Sequence, residues 1–108
     1  MFQKTIKVKG VTFKNAQRNI RTFASGDFER FDLVREPDNF FDSNAIRVTV
    51  ATVVFLGYVP REVAKELAPL MDEGRKFMAF FVSRNEHPVY GIVGLTVRIE
   101  ELPCQQAA

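Results

Sequence analysis

The densest chemistry in this chain lies between Glu36 and Asn44. Glu36, Asp38 and Asp42 place three carboxylates in one short polar stretch, and Phe40 and Phe41 stand between them. Convergent carboxylates can hold a divalent cation through their oxygens, which would suit a small metal-dependent nuclease. Asp and Asn in a polar loop more often bond their own backbone, so the metal reading ranks well behind. The aromatic pair has another capacity. Bases stack on aromatic faces with little sequence preference, at about 1–3 kcal/mol per base. A carboxylate repels phosphate, but it becomes useful where a strand ends in a free hydroxyl that can donate to it. Phenylalanine is also a common core residue, so residue type alone does not separate a stacking face from packing.

Other reactive groups are isolated. His87 is the single histidine and sits beside Pro88 without a second ligand at metal-binding spacing. Cys104 is the single cysteine, near the C-terminus and without an evident base in sequence. No Gly-rich phosphate loop occurs. The chain is therefore expected to be non-catalytic, with no metal and no cofactor. One cysteine allows no internal disulfide, and Lys4, Lys7 and Lys9 interrupt any leader-like apolar run, so a cytoplasmic location is expected. No apolar run approaches the roughly 20 residues of a membrane span.

Charge is informative by its distribution. The net charge is only +2, yet Lys4, Lys7, Lys9, Lys14, Arg18 and Arg21 all precede the first acidic residue, Asp27. Such a segment can attract a polyanion. On charge alone, a solvated basic face accounts for it slightly better.

The elements that must position these residues follow from periodicity. Lys4–Thr12 alternates, with Ile6, Val8 and Val11 inward, and Gly10 marks a bulge or close backbone approach. Asn15 precedes a short helix over Ala16–Phe23, in the position of an N-cap. Ser25-Gly26-Asp27 is turn chemistry. Strands are expected over Phe28–Arg35, Ala45–Ala51 and Val53–Val59, the last two as a hairpin. Pro60 should occupy the first position of a helix running to about Glu73, with Val63, Leu67, Leu70 and Met71 buried. Pro69 should kink or restart that helix, and Gly74 should cap it. Lys76–Arg84, a turn at Asn85–Pro88, and Tyr90–Glu101 complete the pattern. Together these predict an α+β, mainly β domain over residues 1–102: a small six-stranded barrel with two helices, followed by a flexible tail at 103–108.

The stretch Leu33-Val34-Arg35-Glu36-Pro37-Asp38-Asn39-Phe40-Phe41-Asp42-Ser43-Asn44-Ala45-Ile46-Arg47-Val48 resembles the signature of the HIRAN domain family. Leu56-Gly57-Tyr58-Val59-Pro60-Arg61-Glu62-Val63-Ala64, continuing through Leu67-Ala68-Pro69-Leu70, also fits. So do Val8-Lys9-Gly10-Val11-Thr12-Phe13 and Asn15-Ala16-Gln17, the last as in short bacterial members. The resemblance runs nearly to Ile99. It implies a modified oligonucleotide-binding (OB-like) barrel that holds single-stranded DNA at its 3′-hydroxyl end, in repair or replication-fork processing.

By position, the resemblance makes Phe13 and Phe41 the stacking aromatics and Asp42 the acceptor for the terminal hydroxyl. Asn39 becomes a contact to the end nucleotide. Tyr58 and Arg61 fall in a phosphate-contacting region, and Tyr90 lies near a third aromatic position. Phe13 and Phe41 replace tyrosines of the best-known members, which preserves stacking and removes hydroxyl hydrogen bonds. Thr12 stands where those members carry arginine, with Lys14 as the nearby cation. The expected partners are single-stranded DNA or DNA 3′ ends. A second reading is a protein-interaction domain that tethers a separate helicase or nuclease.

Overall fold

The computed structural model describes residues 2–25 and 29–103. The elements run β1 (Gln3–Lys7), α1 (Ala16–Phe23), β2 (Arg30–Arg35), β3 (Ile46–Val50), β4 (Val54–Tyr58), α2 (Arg61–Asp72), β5 (Phe77–Glu86) and β6 (Val93–Glu101). All strand pairs are antiparallel, in the order β1-β6-β5-β2-β3-β4. Alternation drives the packing. In β6, Val93, Leu95, Val97 and Ile99 are buried while their neighbours are not. Phe31, Ile46, Val48 and Leu56 meet them in one core. Each such side chain contributes roughly 1.5–3 kcal/mol on burial. The sheet curls around this core into a half-barrel with two helices, the mainly β arrangement that the sequence predicts.

The two edges of the sheet, β1 and β4, meet at one point. Lys9 N–H donates to the Tyr58 carbonyl and Tyr58 N–H donates to the Lys9 carbonyl, both at 2.7 Å. Only glycine fits beside this bridge. A Cβ on Gly57 would lie 2.4 Å from Val8 Cγ1 and 2.5 Å from the Lys9 carbonyl oxygen. The strand is also bulged there. Val48 faces Gly57 and Thr49 faces Phe55, leaving Leu56 as the extra residue. Such a bulge bends a strand and sharpens its twist.

Helix α1 packs on β4 and β6. Its polar side chains make the attachment: Asn19 Nδ2 donates to the Phe55 carbonyl at 2.8 Å. Gln17 exchanges hydrogen bonds with the Val93 backbone at 3.0 and 2.8 Å, and donates to the Val11 carbonyl at 2.7 Å. Helix α2 buries Val63, Ala64, Leu67 and Ala68, while Leu70 and Met71 are only partly covered. Its end is a Schellman-type stop: Gly74 N–H donates to the Met71 carbonyl and Arg75 N–H to the Leu70 carbonyl.

Several expectations are corrected. The first strand ends at Lys7, not Thr12, because Gly10 turns the chain after the Lys9 bridge; Phe13 therefore sits in a turn, its N–H bonded to the Gly10 carbonyl at 3.0 Å. Asn15 makes no side-chain cap. Pro60 is the N-cap of α2 and not its first helical residue; its carbonyl accepts from Val63 and Ala64. Pro69 does not restart α2, which continues to Asp72. It lies in the last turn, where few later hydrogen bonds depend on it. Strand β5 extends through Asn85 and Glu86 because both pair with β6. Tyr90 belongs to the following turn and not to a strand. The turn residues Gly26 and Asp27, the strand start at Phe28, Cys104 and the rest of the tail lie outside the described residues.

Gly57→Ala tests the closure directly. The added methyl meets a backbone carbonyl, so it cannot be relieved by one rotamer change. A loss of about 2–4 kcal/mol is expected in urea unfolding, from overpacking and backbone incompatibility together.

Candidate functional site

The segment between β2 and β3 is organised by one carboxylate. Glu36 accepts the Tyr58 hydroxyl at 3.0 and 3.3 Å and the Asn39 Nδ2–H at 2.8 Å. It also pairs with Arg47, whose Nε lies 2.9 Å from Oε2. That Nε–H is not aimed at the carboxylate and makes no hydrogen bond, so this contact is a charge pair. Asn39 passes the order onward. Its Oδ1 accepts from the Phe41 and Asp42 amides at 2.9 and 3.0 Å. Asp42 Oδ1 in turn accepts from the Asn44 amide at 2.9 Å. These are the local side-chain-to-backbone bonds that Asn and Asp favour in turns.

The base of the loop is clamped separately. Arg35 donates to the Ser43 and Ala45 carbonyls at 2.9 and 3.1 Å and holds Asp72 of α2 with two nitrogens. Its hydrogen bonds hold the Asp72 carboxyl below its ordinary range. A loop fixed this thoroughly can present side chains outward. Phe41 is 82% exposed and Phe40 93%, with the two rings edge to face at 5.3 Å.

Opposite stands Phe13, 59% exposed. Its ring and that of Tyr58 crowd Gly10, where a Cβ would come within 3.1 Å of Phe13 and 3.2 Å of Tyr58. Phe13 and Phe41 both line one open groove of about 810 Å³. Asn39, Asp42, Tyr58 and Arg61 line it too, so six of the residues singled out by sequence come together there. Arg61 reaches across: its Nη2 donates to the Phe41 carbonyl at 3.1 Å and its Nε lies 3.7 Å from Asp42.

Two residues fall elsewhere. Lys14 has a left-handed backbone, with φ of 51°, and its Nζ lies 5.2 Å from the centre of the Phe55 ring. Tyr90 lies in the β5–β6 turn against His87, whose Nδ1 accepts from the Val89 and Tyr90 amides. Neither lines the groove. The turn after Gly10 carries Lys14 away, and the extra length of β5 carries Tyr90 away. The acidic cluster also resolves differently from a metal site. Glu36 is engaged by Arg47, Tyr58 and Asn39, and no three His, Cys, Asp or Glu among the described residues converge to hold an ion.

Sequence reasoning missed Lys9, which lines the groove, and it missed the organising role of Glu36. The Glu36–Asn39 spacing of a capped turn was a usable signal. The partnership with Tyr58 and Arg47 was not, because it depends on strand register.

A HIRAN domain family model matches residues 4–101. One relative in Arabidopsis thaliana is a putative SWI/SNF-related matrix-associated actin-dependent regulator of chromatin subfamily A member 3-like 1, 48% identical over 44 residues, covering 41% of this chain. Another is a Fanconi-associated nuclease 1 homolog of the same plant, 42% identical over 41 residues and 38% of this chain. The chain spans about 5% of the length of each of these relatives. Among solved structures, a Lactobacillus plantarum protein matches with a TM-score of 0.68 at 23% identity, over 91% of this chain and 97% of that one. The HIRAN domain of human HLTF matches with a TM-score of 0.68 at 20% identity, over 92% and 74%. At these identities the two structures speak to the fold. No helix among the described residues is long and apolar enough to cross a membrane.

The Tyr58–Glu36 contact has a pH signature. Burial first, then the hydrogen bond to Glu36 and its charge, push the Tyr58 phenol above its ordinary pKa, with Arg47 opposing. A raised folded-state pKa contributes stability that is fully present below the unfolded tyrosine value, near 10. That stability is lost as pH rises through the folded value. In a Tyr90→Phe background, ultraviolet titration should therefore report one phenol ionising above the ordinary range. Adding Tyr58→Phe should remove that share of the alkaline loss of stability.

Proposed function

The chain belongs to the HIRAN domain family, and from that premise we propose that it is a non-catalytic module that binds single-stranded DNA in the groove between Phe13 and Phe41. The observation that carries this reading is the exposure of both rings on one groove. Neither Phe13 nor Phe41 serves the core, and a preorganised loop holds Phe41 outward. Aromatic faces fixed in solvent offer base stacking without the cost of ordering a loop at binding.

The groove's own charges nearly cancel. Lys9 and Arg61 are set against Asp42 and Glu62. Stacking should therefore dominate affinity there, with phosphate contacts secondary. Asp42 is the proposed acceptor for a terminal 3′-hydroxyl. Asn44 uses one of its oxygens and Arg61 stands near the other, and an ionised carboxylate has about four acceptor sites in all. The size of the relatives, in which a matching segment is a small fraction, supports a role as one module beside a larger activity. A helicase-like or nuclease partner, fused or separate, is the corresponding context in repair or fork processing. The interaction-domain reading has no comparable observation in its favour.

Fluorescence titration with a short 5′-labelled oligonucleotide tests this, with the 3′ hydroxyl either free or blocked by phosphate. The free end should bind more tightly. Phe41→Ala should weaken both by about 5- to 150-fold, the stacking contribution for one base. Asp42→Asn keeps an acceptor for Asn44 and should reduce the free-to-blocked ratio toward one. Negligible binding of both oligonucleotides by the unaltered protein would sink the proposal. Equal binding of both would remove the 3′-end preference alone.

A further inference from the structure

Lys9 stands where three depressions of the surface meet. The first is the aromatic groove. The second, of about 340 Å³, is lined among others by Lys7, Lys9, Asn85, Gly94 and Thr96. The third, of about 380 Å³, includes Lys4, Lys7, Lys9 and Glu62. The arrangement follows from the pleat. Ile6 and Val8 are buried, so Lys7 and Lys9 project from the other face of the same extended segment. Residues two apart on a strand are separated by about 6.6 Å along it.

Lys4 is paired with Glu66 and Arg21 with Glu86. Among the described residues, Lys7, Lys9, Lys14 and Arg18 of the N-terminal segment make no ion pair, and of these only Lys7 and Lys9 line the three depressions. Both are exposed. The two ways out of the aromatic groove also differ in charge. The third depression carries the Glu62 carboxylate in its wall, and Glu66 sits beside Lys4. The second has no carboxylate in its lining: its charged residues are Lys7 and Lys9, beside the neutral polar Asn85 and Thr96 and apolar Val8, Val11 and Leu95. A polyanion leaving the groove meets a carboxylate on one path and none on the other.

We infer that a DNA strand held in the aromatic groove leaves it over Lys9 and follows the outer face of β1, its phosphates against Lys9 and then Lys7. Asn85 and Thr96 supply neutral donors along the second depression. Thr96 pairs directly opposite Lys7 in the sheet, so both act at one point of the path. The inference rests on the DNA-binding reading above and extends it. The groove supplies stacking on the last bases, with Lys9 at the point where it meets the track, and Lys7 adds a cation from outside the groove's balanced charges.

The test compares oligothymidylates of about three and about nine residues, within the range of single-strand site sizes, over a series of salt concentrations. The longer one should bind more tightly, with a steeper dependence on salt. Lys7→Gln should reduce the magnitude of that slope by about 0.7, the single-strand contribution of one phosphate. Thr96→Glu should weaken the longer oligonucleotide several-fold by pairing with Lys7. Neither Lys7 nor Thr96 lines the aromatic groove, so binding of the short oligonucleotide should be unchanged in both variants. If the protein binds both lengths but Lys7→Gln leaves the long-oligonucleotide slope intact, the track is wrong and the groove reading stands. Equal affinity for the two lengths overturns the track in the same way. If neither length binds, both readings fall. Lys7 is exposed, so this variant decides the question even if Thr96→Glu does not fold.

Discussion

The structure depends on one contact between backbones, the pair of hydrogen bonds joining Lys9 to Tyr58. A curled antiparallel sheet leaves two edges with unpaired N–H and C=O groups. Here they are joined at a single bridge, and the joint decides where every important side chain goes. It brings the segment after β1 against the end of β4. Gly10 then lies between the Phe13 and Tyr58 rings, and Phe13 is left facing the groove. Gly57 makes the approach possible because any Cβ would strike Val8 and the Lys9 carbonyl. The Leu56 bulge sets the end of β4 relative to β3, which puts Tyr58 opposite Arg47. The constraint is steric first and polar second.

From that joint the polar order spreads to the loop. Tyr58 and Arg47 meet at Glu36 because their strands are in register. Glu36 fixes Asn39, and Asn39 fixes the amides of Phe41 and Asp42. The groove's outer wall is therefore set by a chain of contacts that begins in the sheet. Two large exposed rings on such a loop stay apart from the core because their backbone has no freedom to fold them in. A loose loop with the same residues would gain by burying Phe40 and Phe41, at roughly 1.5–3 kcal/mol each. Preorganisation is what keeps them available.

Much of this was legible in the sequence, and the limits were physical. Alternation in β6 identified its buried residues, since burial follows period, whereas the apolar stripe of α2 identified Val63 and Leu67 but took Leu70 and Met71 in place of Ala64 and Ala68, whose small side chains gave no apolar signal. The two helices were placed within a residue or so for the same reason. Ends were harder. Tyr90–Ile92 continued an apolar pattern and read as strand, but β5 runs on to Glu86 and moves the turn past His87. Asn15 had the residue type of a cap without its geometry. In the site, the motif placed six residues on one groove, whereas Lys14 and Tyr90 were lost to a left-handed turn and a longer hairpin. Glu36 was visible as a carboxylate and invisible as a hub, because its partners come from other strands.

Charge and apolar surface are divided across the molecule. A site that stacks bases needs apolar faces, and apolar faces cannot also carry the cations that attract a polyanion. This chain separates the two along one path. Phe13 and Phe41 lie in a groove whose four charges, Lys9 among them, cancel, while unpaired Lys7 lies next to it at the end of β1. Coulomb attraction in water falls to about 1 kcal/mol at 4 Å, so isolated surface lysines contribute little individually. Placed in sequence along a strand's exit path they act together through counterion release, which adds for each phosphate met. A net charge of only +2 is compatible with this, because what a strand encounters is the local face and not the sum. Within the basic run before Asp27, Lys4 and Arg21 are tied to glutamates, Lys14 and Arg18 line none of the three depressions, and Lys9 and Lys7 face solvent, one in the groove and one beside it.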